Sequence, residues 1–236
     1  MNFDKETFVN DQTLNIFTDA SLRKDENPDL SATCAAAMAF VGENIIDRQF
    51  RIFVGETSNY GEIKAVRLGV ELALCHRFNF SSINLFSDSQ ISIFGVRDRI
   101  FNWRIIDDQL VGYANKVIKN QTEFLDVINL IAYNNLYINL YHQKGHVDTS
   151  NIKSLLYARN TFYESNRPFG STQTNTDISF IKYISTCNDM VDHYSRDMLY
   201  DIAIPKARVI NPFDFAPTTE HKEMLTKYSD LIGGDK

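Results

Sequence analysis

The order of apolar segments in the first ninety residues is the feature that most constrains how this chain can fold. Three β-prone segments at residues 13–22, 32–41 and 45–54 follow one another with polar or turn-forming residues between them. Such short connections predict an antiparallel meander. Apolar residues three or four positions apart then predict a helix over 62–78, and residues 82–87 form a short apolar segment that predicts a buried strand.

The rest of the chain alternates between predicted helices and strands. Helical spacing extends over residues 89–101, 105–132 and 179–203, strand alternation covers 136–142, and a short helix is predicted at 152–163. Residues 1–11 are polar and are expected to form a lead-in to the first strand.

This order of elements fits an α/β fold. A five-stranded mixed sheet with helices on both faces satisfies it. We expect one domain over residues 1–204, with a long insertion at 148–180 before the last helix. Residues 205–236 would then form a C-terminal extension.

Charge and composition narrow the classes of protein that fit. The net charge of −6 creates no overall positive field, which disfavours a non-specific nucleic-acid coat protein. The longest apolar runs, such as residues 34–41, are too short to span a bilayer. Cys34, Cys75 and Cys187 form neither a disulfide framework nor a zinc pattern, and the N-terminal residues lack a signal-peptide profile. We therefore expect a cytoplasmic protein that does not contact membranes.

Four acidic residues occupy positions from which such a fold can gather them. Asp19 ends the first predicted strand, Asp88 directly follows the fourth, and Glu62 begins the first long helix. Asp192 lies in the last helix, one turn after Asn188. Converging carboxylates repel one another, and hard divalent cations such as Mg²⁺ are the natural compensation. Two such ions about 3.5–4 Å apart can activate a water and stabilise the leaving oxygen of a phosphodiester.

Each of these acids also has an ordinary structural interpretation, which the residues alone leave open. Asp19 can begin a turn, Glu62 can favour a helix N-terminus through the macrodipole, and Asp88 can cap the helix that follows. Asp192 can simply face solvent. The sequence offers no Gly-rich phosphate loop and no Ser-His-Asp order, so neither an organic cofactor nor a serine nucleophile is indicated.

Five short blocks, taken in order, resemble those of a type 1 ribonuclease H. They are IFTDAS at 16–21, TSNYGE at 57–62, LFSDSQ at 85–90, KGH at 144–146 and CNDMVD at 187–192. The third block continues through Gly95 to Asn102, Trp103 and Arg104 at the family's spacing. In the last block an asparagine precedes the final aspartate by four residues. Together the blocks span roughly residues 12–203.

The resemblance implies an activity and a metal centre. The protein would be an endonuclease that hydrolyses the RNA strand of RNA–DNA hybrids and leaves 5′-phosphate and 3′-hydroxyl ends. Asp19, Glu62, Asp88 and Asp192 would hold two Mg²⁺ ions, for which Mn²⁺ can substitute. His146 would assist proton transfer or product departure from a mobile loop.

The resemblance also implies contacts with the hybrid. Thr57 would belong to a pocket that binds a phosphate of the DNA strand. Ser58, Asn59 and Gln90 would contact the RNA strand near its 2′-hydroxyls, which distinguish RNA from DNA. Trp103 would stack on DNA sugars, and Asn188 would be a further substrate-binding residue. Without the resemblance, residues 57–59 are interpreted as a helix cap and the tryptophan as a core residue.

The chain departs from the family pattern at several points. Ala20 replaces a usual glycine, and Tyr60 replaces a usual basic residue. The region after Arg104 lacks a dense cluster of basic residues, for which Lys116 and Lys119 are a thin substitute. Two alternatives therefore stay open: a nuclease of the same fold that acts on another structured nucleic acid, and a non-catalytic subunit that binds hybrid.

Overall fold

The computed structural model describes residues 3–167 and 176–201. Its strands are β1 (Thr13–Arg23), β2 (Ala32–Val41), β3 (Asn44–Val54), β4 (Ser82–Ser87), β5 (Arg104–Ile106), β6 (Gln109–Val111) and β7 (Asn139–His142). Its helices are α1 (Lys5–Phe8), α2 (Ser58–His76), α3 (Gln90–Arg97), α4 (Gln121–Tyr133), α5 (Ile152–Asn166) and α6 (Ile178–Asp201).

Five of the strands form one mixed sheet in the order β3-β2-β1-β4-β7. The first three strands pair antiparallel, as the short connections predict. β4 runs parallel to β1, and β7 runs parallel to β4. The predicted five-stranded mixed sheet is therefore confirmed, with β1 at its centre. β5 and β6 form a separate hairpin.

The central strand is buried on both faces over residues 13–19, so its apolar side chains contribute to two different cores. Ile16 belongs to a core formed with α2, α3 and α4, whereas the next residue, Phe17, belongs to a core formed with α1, α5 and α6. The second core is aromatic: Phe17 stacks on Phe86 with ring centroids 4.8 Å apart. Helices thus cover both faces, as predicted.

A row of three asparagines, two of them buried, crosses three strands of the sheet. Asn84 Nδ2 donates to Asn15 Oδ1 at 3.0 Å, and Asn139 Nδ2 donates to Asn84 Oδ1 at 3.0 Å. Each hydrogen bond satisfies polar atoms that would otherwise be costly to bury. The row links β1, β4 and β7, the three parallel strands whose C-terminal ends meet at one edge.

The prediction of one long helix over residues 105–132 is wrong in its first half. That half forms the β5–β6 hairpin, and α4 begins only at Gln121. Asp107 and Asp108 have φ values of 49° and 59°, which a type I′ turn requires at both central positions. Two consecutive β-branched residues before the turn, Ile105 and Ile106, also favour a strand.

Other boundaries also differ from the predictions. The helix predicted over residues 89–101 ends at Arg97 and is followed by a 3₁₀ turn, and the strand predicted over 136–142 begins at Asn139. The N-terminal segment is not a polar lead-in, because Phe3 and Phe8 are buried in the aromatic core.

The insertion and the tail are only partly described. The short helix predicted at 152–163 is confirmed as α5, and the helix predicted at 179–203 is confirmed over α6. Residues 168–175 of the predicted insertion and the predicted extension at 205–236 lie outside the described residues. Among the helices that the structure describes, none has the length and hydropathy needed to cross a bilayer.

Candidate active site

The parallel pairing of β1 with β4 brings the first two predicted acids together. The register places Thr18 opposite Ser87. Asp19 and Asp88 are the next residues on their strands, so both lie at the same edge of the sheet. Carboxyl ends of parallel strands are the usual location of functional side chains in such sheets.

Glu62 reaches this edge because the start of α2 packs very closely on the sheet. Thr57 caps the helix, its hydroxyl accepting from the Tyr60 N–H at 3.3 Å. A Cβ added to Gly61 would lie 2.0 Å from Thr33 Cγ2 and 3.2 Å from Ala20 Cβ. Only glycine permits this approach, which places Glu62 over the end of β1.

Asp19, Glu62 and Asp88 form an acidic triad. One carboxylate oxygen from each lies within 4.8 Å of the others. The second oxygen of Glu62, Oε2, is buried and has no hydrogen-bond partner among the described residues. An unpartnered buried acceptor within a set of oxygen ligands fits a hard divalent cation.

The triad is costly to ionise without a cation. Burial raises the pKa of Asp19 to about 7, and the charge of Asp88 adds to the rise. Burial, with the charges of Asp19 and Asp88, raises the pKa of Glu62 well above its usual range. Burial also raises the pKa of Asp88. A hydrogen bond from Asn188 and the charge of His146 partly oppose this rise. A bound divalent cation would offset this repulsion.

The fourth predicted acid, Asp192, is not among the acids whose oxygens lie within 4.8 Å of one another, and its carboxylate is paired with an arginine instead. Arg196, one turn later on α6, donates from Nε to Asp192 Oδ1 at 2.8 Å and also pairs with Oδ2. His146 Nδ1 lies 3.8 Å from the same Oδ2, and the His146 side chain is 76% exposed. The positive charge of Arg196 also partly opposes the rise that burial causes in the pKa of Asp19. The guanidinium therefore interacts with both acids.

Asn188 lies behind Asp88 and does not face solvent. It is 1% exposed and hydrogen-bonds the Asp88 carboxylate. Its own oxygen accepts from Gln143 Nε2 at 2.7 Å. The resemblance implies a substrate-binding role for Asn188, whereas the structure places it in contact with a candidate metal ligand.

Sequence reasoning missed three residues next to the site: His142, Gln143 and Arg196. His142 falls on the apolar side of the strand pattern, which is a recognisable sign of a buried polar contact. Arg196 lies four residues after Asp192, the spacing at which helix side chains pair. Gln143 carries no such sign, because its partner is 45 residues away.

A groove of about 660 Å³ lies between the start of α2, α3 and the segment that follows the β5–β6 hairpin, and none of the triad residues lines it. Its lining includes Asn59, Trp103 and three basic residues, Arg99, Lys116 and Lys119, and none of the described residues that line it is acidic. Trp103 is half-buried, and its ring packs edge-on against Phe124 with centroids 5.1 Å apart.

The other predicted substrate contacts lie at helix N-termini. Thr57 and Ser58 are at least partly exposed at the start of α2, and Gln90 is exposed as the first residue of α3. Asn59 and Glu62 are three residues apart on α2, roughly 5 Å along its axis. Asn59, which lines the groove, therefore lies about one helical turn from Glu62.

The model of one protein family, described as RNase H, matches residues 11–158, which is more than half of the chain. The chain belongs to the RNase H family. The residues matched to the RNase H model include the whole triad, whereas Asn188 and Asp192 lie beyond them. No curated protein matches the chain.

Several solved structures are similar to this one. A foamy viral protease-reverse transcriptase in complex with an RNA/DNA hybrid has 17% identity and a TM-score of 0.48 and covers 64% of this chain and 19% of its own. RNase H1 from the halophilic archaeon Halobacterium salinarum NRC-1 has 16% identity and a TM-score of 0.40 over 56% of this chain and 86% of its own. LC11-RNase H1 in complex with an RNA/DNA hybrid has 12% identity and a TM-score of 0.42 over 64% and 95%. The chain thus spans about a fifth of the viral protein's length.

Proposed function

We propose that this protein is a metal-dependent endonuclease that hydrolyses the RNA strand of RNA–DNA hybrids and leaves 5′-phosphate and 3′-hydroxyl ends. The observation that carries the proposal is the acidic triad, with its unpartnered Glu62 oxygen, in a chain of the RNase H family. Buried carboxylates that repel one another need a cation, and a phosphodiester needs the same neutralisation before water can attack it.

Asp19, Glu62 and Asp88 would hold Mg²⁺, with Mn²⁺ as a substitute, and Asp192 would complete the ligand set for a second ion. When bound, the metal supplies charge neutralisation at the phosphate and a water of lowered pKa. All four acids offer only oxygen atoms, which is the ligand type that Mg²⁺ prefers. The Arg196 guanidinium, which donates to Asp192 Oδ1 at 2.8 Å, would offset part of the negative charge that this fourth carboxylate adds.

The protein's own groups would orient the ligands and move the proton. Asn188 would hold the Asp88 carboxylate through its hydrogen bond. His146 is largely exposed and lies 3.8 Å from Asp192, so its imidazole can exchange a proton with the departing oxygen and with solvent.

The groove would hold the hybrid. Its basic residues can neutralise phosphates, and the Trp103 ring offers a face for a sugar or base. Asn59, at the groove, would contact the RNA strand close to the triad. Ser58 and Gln90 would read 2′-hydroxyls from the two helix N-termini, where Thr57 would contact a DNA phosphate.

The test is cleavage of labelled RNA–DNA hybrid, duplex DNA and duplex RNA in the presence of Mg²⁺. We expect the hybrid to be cut in its RNA strand and the other duplexes to survive. Asp88→Asn should lower the rate by roughly three orders of magnitude, about 4 kcal/mol of transition-state stabilisation. Asp11→Asn, a conservative change at an exposed turn, should cut like the wild type.

Two results would contradict the proposal. Cleavage that is equal in Asp88→Asn and wild type would show that the triad does not act. Preferential cleavage of duplex DNA or duplex RNA would assign the same triad to another substrate.

A further inference from the structure

Two consecutive buried polar residues at the end of β7, His142 and Gln143, adjoin the triad without belonging to it. They are 3% and 1% exposed. The β4–β7 register pairs His142 with Ser87, and the Gln143 N–H donates to the Ser87 carbonyl oxygen at 3.0 Å. Because Asp88 directly follows Ser87, both residues lie beside this candidate ligand.

Gln143 determines the direction in which the Asn188 amide faces. Gln143 Nε2 donates to Asn188 Oδ1 at 2.7 Å, and Asn188 also hydrogen-bonds the Asp88 carboxylate. Because Asn188 Oδ1 accepts from Gln143, the NH₂ group is the part of the amide that is left to donate to the Asp88 carboxylate. With its oxygen occupied by Gln143, the Asn188 amide is held in the one orientation that donates to Asp88.

His142 contacts the main chain of the same ligand. His142 Nε2 lies 3.2 Å from the Asp88 carbonyl oxygen, and Nδ1 lies 2.9 Å from Ser165 Oγ. A carbonyl oxygen only accepts, so Nε2 carries the hydrogen, and Nδ1 of the neutral ring accepts from the serine hydroxyl. Asn166 accepts from the His142 N–H at 2.9 Å and donates to its carbonyl oxygen at 2.7 Å.

Arg97 links the C-terminus of α5 to the sheet through hydrogen bonds. Its guanidinium donates to the Ser165 carbonyl oxygen at 2.8 Å, to Asn166 Oδ1 at 2.9 Å and to the Leu140 carbonyl oxygen at 3.0 Å. Hydrogen bonds from a charged donor are stronger than neutral ones. The C-terminus of α5, within the predicted insertion, is thus joined to the strand end that carries His142.

We propose that His142 and Gln143 are positioning residues that hold Asp88 in the orientation a bound divalent cation requires, and that the C-terminus of α5 braces them. Gln143 acts through Asn188 on the carboxylate, and His142 acts on the main-chain carbonyl. The inference rests on the proposed function, because it concerns the same metal site. Replacing groups that orient metal ligands typically changes metal affinity or activity about 10–100-fold.

The test combines Gln143→Met with Ser165→Ala in the full chain. MgCl₂ titrated in a calorimeter should bind about 10-fold more weakly to Gln143→Met and about 3-fold more weakly to Ser165→Ala. The kcat for hybrid should fall by similar factors while KM stays within about twofold, since neither residue lines the groove. Adding Gln143→Met to Asn188→Ala should cause no further loss, because Gln143 acts through Asn188.

A matched control is Asn84→Met, which removes a buried amide from the asparagine row of the same sheet. This variant should melt at a lower temperature and bind Mg²⁺ like the wild type. Wild-type Mg²⁺ affinity in both Gln143→Met and Ser165→Ala, in a wild-type protein that cuts hybrid, would overturn the inference. Weakening by Asn84→Met equal to that by Gln143→Met would overturn it too. A wild-type protein that neither binds Mg²⁺ nor cuts hybrid would instead refute the proposed function, and this inference with it.

Discussion

Because Gly145 has no side chain, the Asp88 carboxylate can lie directly against it. A Cβ at this position would lie 2.1 Å from Asp88 Oδ2, well inside any real contact. The φ of Gly145 is outside the left-handed region, so an alanine here would conflict with the carboxylate and not with its own backbone. Gly145→Ala should therefore displace Asp88 and lower hybrid cleavage and Mg²⁺ affinity about 10–100-fold.

Gly42→Ala is the matched control for this prediction. Gly42 has a φ of +60° in the β2–β3 turn, and an added Cβ would have no atom within 4 Å. The control should lose about 1 kcal/mol of stability from backbone strain and keep its Mg²⁺ affinity. Cleavage assays, calorimetry and thermal melts of both variants separate the two effects. Full activity in Gly145→Ala would show that this contact does not set the position of Asp88.

Single residues differ in how far the sequence reveals them. Asp19 and Asp88 can be predicted because the first lies on a recognisable strand and the second directly follows one, and parallel pairing then brings the two together. The pairing of Asp192 with Arg196 can be anticipated from their spacing along one helix. The contact between Gln143 and Asn188 cannot, since it depends on how β7 and α6 pack across a long insertion.

At the scale of elements, the β5–β6 hairpin is the clearest departure from sequence reasoning. Apolar spacing over residues 105–132 predicts a helix, although Asp107 and Asp108 adopt the positive φ values of a tight turn. Aspartate tolerates this conformation without glycine, so the usual turn signature is missing. The hairpin determines the lining of the groove, because the segment that follows it places Lys116 and Lys119 there.

These two lysines provide a prediction about substrate binding. Both side chains are exposed and line the groove. Lys116→Glu with Lys119→Glu should raise KM for hybrid about 10-fold and leave kcat within about twofold, because they would contact phosphates away from the triad. The slope of log KM against log salt should fall by about one for each phosphate that the variant no longer neutralises.

Lys153→Glu is the control for charge alone. Lys153 is exposed on α5 and is not among the residues that line the groove. Lys153→Glu should change KM and the salt slope little. Each Lys→Glu substitution changes the net charge of the chain by the same amount, so charge alone would affect both variants. An equal rise in KM for Lys153→Glu would indicate a general charge effect and contradict a role for the groove.

For the whole molecule, the mixed sheet with helices on both faces follows from the sequence because hydrophobic periodicity specifies which faces are buried. The free-energy cost of burying the acidic triad cannot be derived from this periodicity. The same close packing that gathers Asp19, Glu62 and Asp88 at one edge also removes them from water. Ionising these carboxylates in the folded protein thus costs free energy, and the cost depends on pH.

Between an ordinary pKa of 3.8 and a folded-state pKa of about 7, Asp19 keeps a proton in the folded protein that it releases on unfolding. Its contribution to stability is therefore complete below about pH 4 and is lost as the pH rises through 7. His142 acts in the opposite direction, because burial lowers its pKa to about 4. A comparison of wild type with Asp19→Asn cancels the contribution of the histidine and leaves the effect of the Asp19 charge, including its effect on the pKa of Glu62.

In EDTA, Asp19→Asn should melt close to the wild type at pH 4 and roughly 10 °C above it at pH 8, since the variant no longer ionises a buried carboxylate. MgCl₂ at pH 8 should raise the melting temperature of the wild type and change that of Asp19→Asn much less, because a ligand stabilises only the state that binds it. Thermal melts followed by circular dichroism at both pH values measure all four quantities. A variant that melts below the metal-free wild type at pH 8 would show that ionised Asp19 stabilises the fold, and would contradict the raised pKa on which the metal requirement depends.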